Sequence, residues 1–123
     1  MRKKKAGRGS VLLLPRLRVL CGGETALGPG RVDLLEWIGE TGSLRAAAAR
    51  MKMSYMRAWT LVRSINSWFR PPLVQVARGG RSGGGAKLTE AGRAVIGLYR
   101  RMERESQKVA ERPWKDLRRF LKQ

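Results

Sequence analysis

The sequence predicts a mainly α fold with a small β-hairpin wing, and three observations carry that reading. Two capped helical stretches joined by a turn of two to three residues, the second stretch longer, have the geometry of a helix-turn-helix. A strand pair follows directly, around a loop with five glycines among residues 79–85. Beyond it, apolar residues recur at spacings of three, four and seven along a stretch that opens at Thr89. Together these make a winged helix-turn-helix with a long C-terminal dimerisation helix. The expected organisation is a basic, disordered arm over residues 1–10, a winged helix-turn-helix with an N-terminal hairpin over 11–88, and a dimerisation helix and C-terminal helix over 89–123.

The elements follow in order. Residues 1–10 are basic, contain glycine and show no apolar period, which is the composition of an arm rather than a core element. Leu12 to Cys21 alternates loosely, and Gly22-Gly23 before Thr25-Ala26-Leu27 suggests a small hairpin. After Gly28-Pro29-Gly30, the residues Val32, Leu34, Leu35 and Ile38 recur at helical spacing until Gly42 stops the helix. Ser43 then caps an alanine-rich helix, Leu44 to Met51, whose small side chains let a neighbouring helix approach. Ser54 caps a second, Tyr55 to Phe69, with Ala58, Val62, Ile65 and Phe69 on one stripe, ended by Pro71-Pro72. Leu73 to Ala77 and Ala86 to Leu88 read as the two strands of the wing. Thr89 caps a long helix with Val95, Leu98, Met102 and Val109 on a seam; Pro113 is expected to break it, leaving Trp114, Leu117, Phe120 and Leu121 for a short final helix.

Charge narrows the function. The 123 residues hold 27 Lys and Arg against 9 Asp and Glu, a net charge of +18 that favours a polyanionic partner. From Ser43 to Leu88 there are nine cations (Arg45, Arg50, Lys52, Arg57, Arg63, Arg70, Arg78, Arg81 and Lys87) and not one Asp or Glu. A one-signed block on a folded segment suits a phosphate-facing surface. Glu24, Asp33, Glu36 and Glu40 crowd the segment before it, which should lie on another face. With no histidine and the single Cys21, one chain has no Cys/His zinc site, no disulfide and no His-based catalysis to offer, so no cofactor, metal or enzymatic activity is expected. Val11 to Leu14 is too short for a signal-peptide core and no stretch reaches the length of a membrane span, which points to a cytoplasmic, nucleoid-associated protein.

On the second helix of the pair, the core stripe turns Tyr55, Met56, Arg57, Thr60 and Arg63 outward behind the cap Ser54. Near the N-terminus of such a helix, Arg57 can bond a guanine bidentately, and Tyr55 can meet a phosphate or a thymine methyl. Thr60 and Arg63 suit phosphate as well as base contact. Trp59 and Trp68 fit a core or interface better than a base-stacking platform. The glycine-rich loop lacks the lysine followed by Ser or Thr of a phosphate-binding loop, so it reads as a wing tip lying close to a sugar-phosphate chain, with Arg78, Arg81 and Lys87 supplying charge. The seam Val95, Leu98, Met102 and Val109 serves either self-association or packing within its own domain. Double-stranded DNA is the expected partner, read as a homodimer on a pseudo-palindromic site. The alternatives are an architectural or ribosome-associated nucleic-acid binder without base readout, and an accessory subunit that uses the domain for protein contacts.

Several motifs, in a fixed order, carry a resemblance. ETGS at 40–43, MSY at 53–55, AW at 58–59, RGGRSGGGA at 78–86 and LTEAG at 88–92 lie within a run, Gly28 to Glu105, that closely resembles the N-terminal DNA-binding domain of ModE-type molybdate-dependent transcriptional regulators, relatives of the LysR-type winged helix. The resemblance implies transcriptional regulation by DNA binding, with the helix after LTEAG as the dimerisation element. Molybdate sensing in that family belongs to separate C-terminal domains, and residues 106–123 offer no place for one, so sensing is expected to fall to a separate sensor protein or another ligand.

Overall fold

The first helix, α1 (Pro29–Thr41), is fully apolar on one side, where Val32, Leu34, Leu35 and Ile38 are all buried. The structure, a computed structural model, describes residues 10–77 and 85–122. Proline at the start of α1 sets the backbone for a helix without losing a needed donor, and Gly42 stops it in a left-handed turn whose N–H bonds Ile38 O at 2.9 Å. Two helices follow, each opened by a serine as expected. The Ser43 hydroxyl accepts from Ala46 N ahead of α2 (Leu44–Arg50), and the Ser54 hydroxyl accepts from Arg57 N ahead of α3 (Tyr55–Trp68). Ala47 and Ala48 of α2 and Ala58, Val62 and Ile65 of α3 join the core beneath α1. Packing of α2 on both α1 and α3 gives the helix-turn-helix.

Two antiparallel hairpins flank these helices. The first pairs β1 (Val19–Cys21) with β2 (Glu24–Leu27) through Gly22 and Gly23, whose φ values of 59° and 87° fit a tight turn that side chains rarely allow. The second pairs β3 (Val74–Val76) with β4 (Ala86–Leu88), Gln75 facing Lys87. Its base is fixed to the helices, since Ala86 N donates to Gly42 O at 3.2 Å and Ser43 bridges Gly85. The wing strands are thus as expected, while the loop residues 78–84 between them lie outside the described residues, as do residues 1–9 of the basic arm.

Helix α4 (Glu90–Arg118) opens at Thr89, whose hydroxyl accepts from Gly92 N. Gly92 is required by contact: a Cβ there would collide with the carbonyl oxygen of Leu73. The expected break at Pro113 is corrected, because the helix is continuous through that residue to Arg118 and no separate final helix forms. Proline removes one bond to the carbonyl four residues back, that of Val109, in an exposed stretch where water can take its place.

Residues 11–18 do not form a ladder with β2; they run as an extended strap along α4. Their exposure alternates, with Val11, Leu13, Pro15 and Leu17 half-buried and Leu12, Leu14, Arg16 and Arg18 exposed. Tyr99 Oη donates to Leu17 O at 2.8 Å and Gln107 Nε2 to Leu13 O at 3.0 Å, so the strap and the helix run in opposite directions. One buried cation completes the attachment. Arg100 Nη2 lies 2.8 Å from Asp33 and 2.6 Å from Glu36 on α1, and Nη1 lies 2.9 Å from Glu103.

Candidate nucleic-acid interface

A helix buries one face and presents the other, and on α3 that division is sharp. Ala58, Val62 and Ile65 are fully buried, whereas Met56, Arg57, Thr60 and Arg63 are exposed on the opposite side. Ser54 is exposed and its hydroxyl is engaged as the N-cap, 3.1 Å from Arg57 N. Tyr55 is half-buried and packs against the core, and its ring carries the Arg45 guanidinium at 4.7 Å, a cation–π contact that ties α2 to α3. A face of its ring is therefore occupied within the protein.

Other cations are held in the same way. Arg63 lies 4.8 Å over the Trp59 ring one turn earlier on α3, and Arg50 lies 4.8 Å over Trp37 of α1. Trp59 itself is half-buried against the core, in keeping with a packing role. Flat guanidinium groups resting on aromatic rings keep their charge exposed while losing little freedom on binding. Arg45, Arg50, Lys52, Arg57, Arg63, Arg70 and Lys87 are all exposed. The sequence places no carboxylate among them, so nothing of opposite sign interrupts this surface from within the block. Arg78 and Arg81, expected to join them on the wing, lie outside the described residues.

Helix α3 and the wing are connected by Asn66, a residue the sequence did not single out. Its Nδ2 donates to Val74 O at 2.9 Å, and its Oδ1 accepts from Leu73 N at 2.9 Å and Val74 N at 3.2 Å. Thr89 N in turn donates to Leu73 O at 2.9 Å, and the Thr89 hydroxyl donates to Pro72 O at 2.7 Å. A polar residue one step off a core stripe, eight residues before the first wing strand, is the only local signal for such a link. On its other side α3 is tied to α1, where Arg31 Nη1 donates to the Ser64 hydroxyl at 2.9 Å.

On α4, Val95 packs against the protein's own core, which divides the expected seam. Leu98, Met102 and Val109 remain exposed at 58%, 45% and 81%. Among the described residues no group of three or more His, Cys, Asp or Glu side chains is placed to hold a metal ion, and no helix is long and apolar enough to cross a membrane.

Comparison with known proteins fits this architecture. The family model for the bacterial regulatory helix-turn-helix proteins of the lysR family matches residues 30–93. The molybdenum-pterin-binding protein MopA of Rhodobacter capsulatus is 40% identical over 91 residues, 74% of this chain and 34% of that protein. The DNA-binding transcriptional dual regulator ModE of Escherichia coli strain K12 is 38% identical over 81 residues, 66% of this chain and 31% of that protein. The chain thus spans about a third of the length of these curated relatives. Among solved structures, the CbnR DNA-binding domain in its DNA complex superposes with a TM-score of 0.54 over 71% of this chain and 94% of that one, at 20% identity, which is a likeness of fold. With the helix-turn-helix, the wing strands and the start of α4 all inside a match covering more than half of its 123 residues, the chain belongs to the bacterial regulatory helix-turn-helix proteins of the lysR family.

Proposed function

We propose that this chain is a DNA-binding transcriptional regulator that reads a pseudo-palindromic site as a homodimer, with α3 in the major groove and the glycine-rich wing along the backbone. The observation that carries the proposal is the coincidence of the exposed cations, Arg45 to Lys87, with the helix-turn-helix and the wing strands, in a block without one acidic residue. The acidic side chains Asp33, Glu36 and Glu103 are gathered instead around Arg100, between α1 and α4. The Escherichia coli relative, a DNA-binding regulator by name, and the CbnR domain solved on DNA support the same reading. The exposed stripe Leu98, Met102 and Val109 supports the dimer, since two copies packed along it would cover apolar surface now facing water. Such a regulator works in the cytoplasm on the nucleoid.

Selection of bound sequences from a random duplex pool, followed by footprinting, tests the proposal. An inverted repeat with half-sites about 34 Å apart, one helical turn, is the expected outcome. Equal affinity for all duplexes would assign the chain to architectural or ribosome-associated binding. Little affinity for any duplex would assign it to protein contacts.

A further inference from the structure

Resting on the DNA-binding reading, we infer that the recognition helix reads the 5-methyl group of a thymine with Met56 and Thr60. Met56, the second residue of α3, is 62% exposed. A thioether with no donor gains nothing from water at that position, and it is too far round the helix to join the core stripe. Thr60 follows one turn later, and its hydroxyl donates to Met56 O at 2.9 Å. With that proton used inside the helix, Thr60 offers a methyl group and an acceptor, and no donor. Leu61, half-buried against the core, supplies the floor of a shallow depression lined by Met56, Arg57, Thr60 and Leu61.

The chemistry of this depression is that of three apolar walls beside one cation. In the major groove each base edge displays hydrogen-bonding groups, and thymine alone displays a methyl group. Of the four lining side chains only Arg57 offers a donor, so a guanine set against Met56 and Thr60 would have its two acceptors desolvated without a partner. Arg57 at the rim serves a neighbouring guanine or phosphate, which fixes the depth of the helix in the groove. Tyr55, the other candidate for methyl contact, has its ring face under Arg45. Arg63 is held over Trp59. The apolar part of the exposed surface is therefore concentrated at Met56 and Thr60.

The test uses the full chain and the duplex obtained by selection, with each thymine replaced singly by deoxyuridine, which removes the methyl group and nothing else. Affinity is titrated for the unmodified chain and for Met56→Ala, whose thermal melting should be unchanged because the side chain is exposed. The expected result is one thymine per half-site at which uracil weakens binding by roughly 3- to 10-fold, with Met56→Ala reducing that sensitivity to about 2-fold or less. Specific binding that tolerates uracil at every position, or a preferred site without thymine under α3, would overturn the inference while leaving the DNA-binding reading intact. Full uracil sensitivity in Met56→Ala would also overturn it, by placing the methyl contact on another residue. A chain that selects no sequence at all would remove both.

Discussion

Arg100 is 7% exposed and is the one buried cation among the described residues. Burial by itself works against its charge, but hydrogen bonds to Glu36, Glu103 and Asp33 outweigh that effect and raise the pKa above the ordinary arginine value. A cation stabilised in this way contributes fully at any pH below the ordinary arginine value, so this contribution is constant across the working range. Replacement by alanine leaves three carboxylates around an empty centre. Arg100→Ala should lower stability by about 3 kcal/mol, the low end for breaking a buried pair because its partners are partly solvated, as read by urea denaturation. Its neighbour Tyr99 behaves oppositely with pH. Burial, then the charge of Glu103, pushes the phenol above 10.0, so folding resists its ionisation. The sign follows: stability is unaffected by this group below about pH 10 and declines as pH rises from there through the higher folded value. Tyr99→Phe should remove that alkaline decline and cost about 1 kcal/mol at pH 7, through the lost bond to Leu17 O, measured by urea melts between pH 7 and 11.

Elements are held together by close approaches as much as by area. Gly92 sits against the backbone of Leu73, and backbone has no rotamer with which to yield. Gly92→Ala should cost roughly 1–3 kcal/mol in a thermal or chemical melt, although alanine is the better helix former, because α4 must shift away from β3. This balance shows what the sequence made legible. Ser43, Ser54 and Thr89 were readable as caps because a cap acts on residues two or three ahead of it, and the core stripes of α1 and α3 were readable from their period. The outward residues Met56, Arg57, Thr60 and Arg63 followed from the same period, by subtraction, whereas Tyr55, expected outward with them, packs against the core because the first turn of α3 is still close to α2. The strap over residues 11–18 was not readable: its alternation fits a strand, and what pairs with it is a helix more than 80 residues away. Neither was the Arg100 cluster, whose partners on α1 lie 64 and 67 positions earlier with no periodic signature. Pro113 misled because the rule against proline inside a helix is weakest where the freed carbonyl meets solvent.

At the scale of the whole molecule, α4 is a rod held on one side by the core and the strap and bare on another. Val95, Tyr99 and Arg100 secure it to the helix-turn-helix, and Leu98, Met102 and Val109 face outward. If two copies meet there, Leu98→Glu would bury an unpaired carboxylate in the contact without touching the core of Leu35, Val62 and Ile65. Sedimentation equilibrium at tens of micromolar should then give a dimer for the unmodified chain and a folded monomer for the variant, with weakened binding to the full site and little change on a half-site. A dimeric Leu98→Glu chain would return those residues to surface packing. The bonds from Asn66 to β3 have a different reach. Because α3 and the wing strands are one hydrogen-bonded piece, the angle between them is fixed before any contact is made, and the duplex has to supply whatever bending brings both into register. Selected sites should accordingly favour deformable pyrimidine–purine steps or a particular minor-groove width between the base contacts and the wing, at positions that no side chain touches.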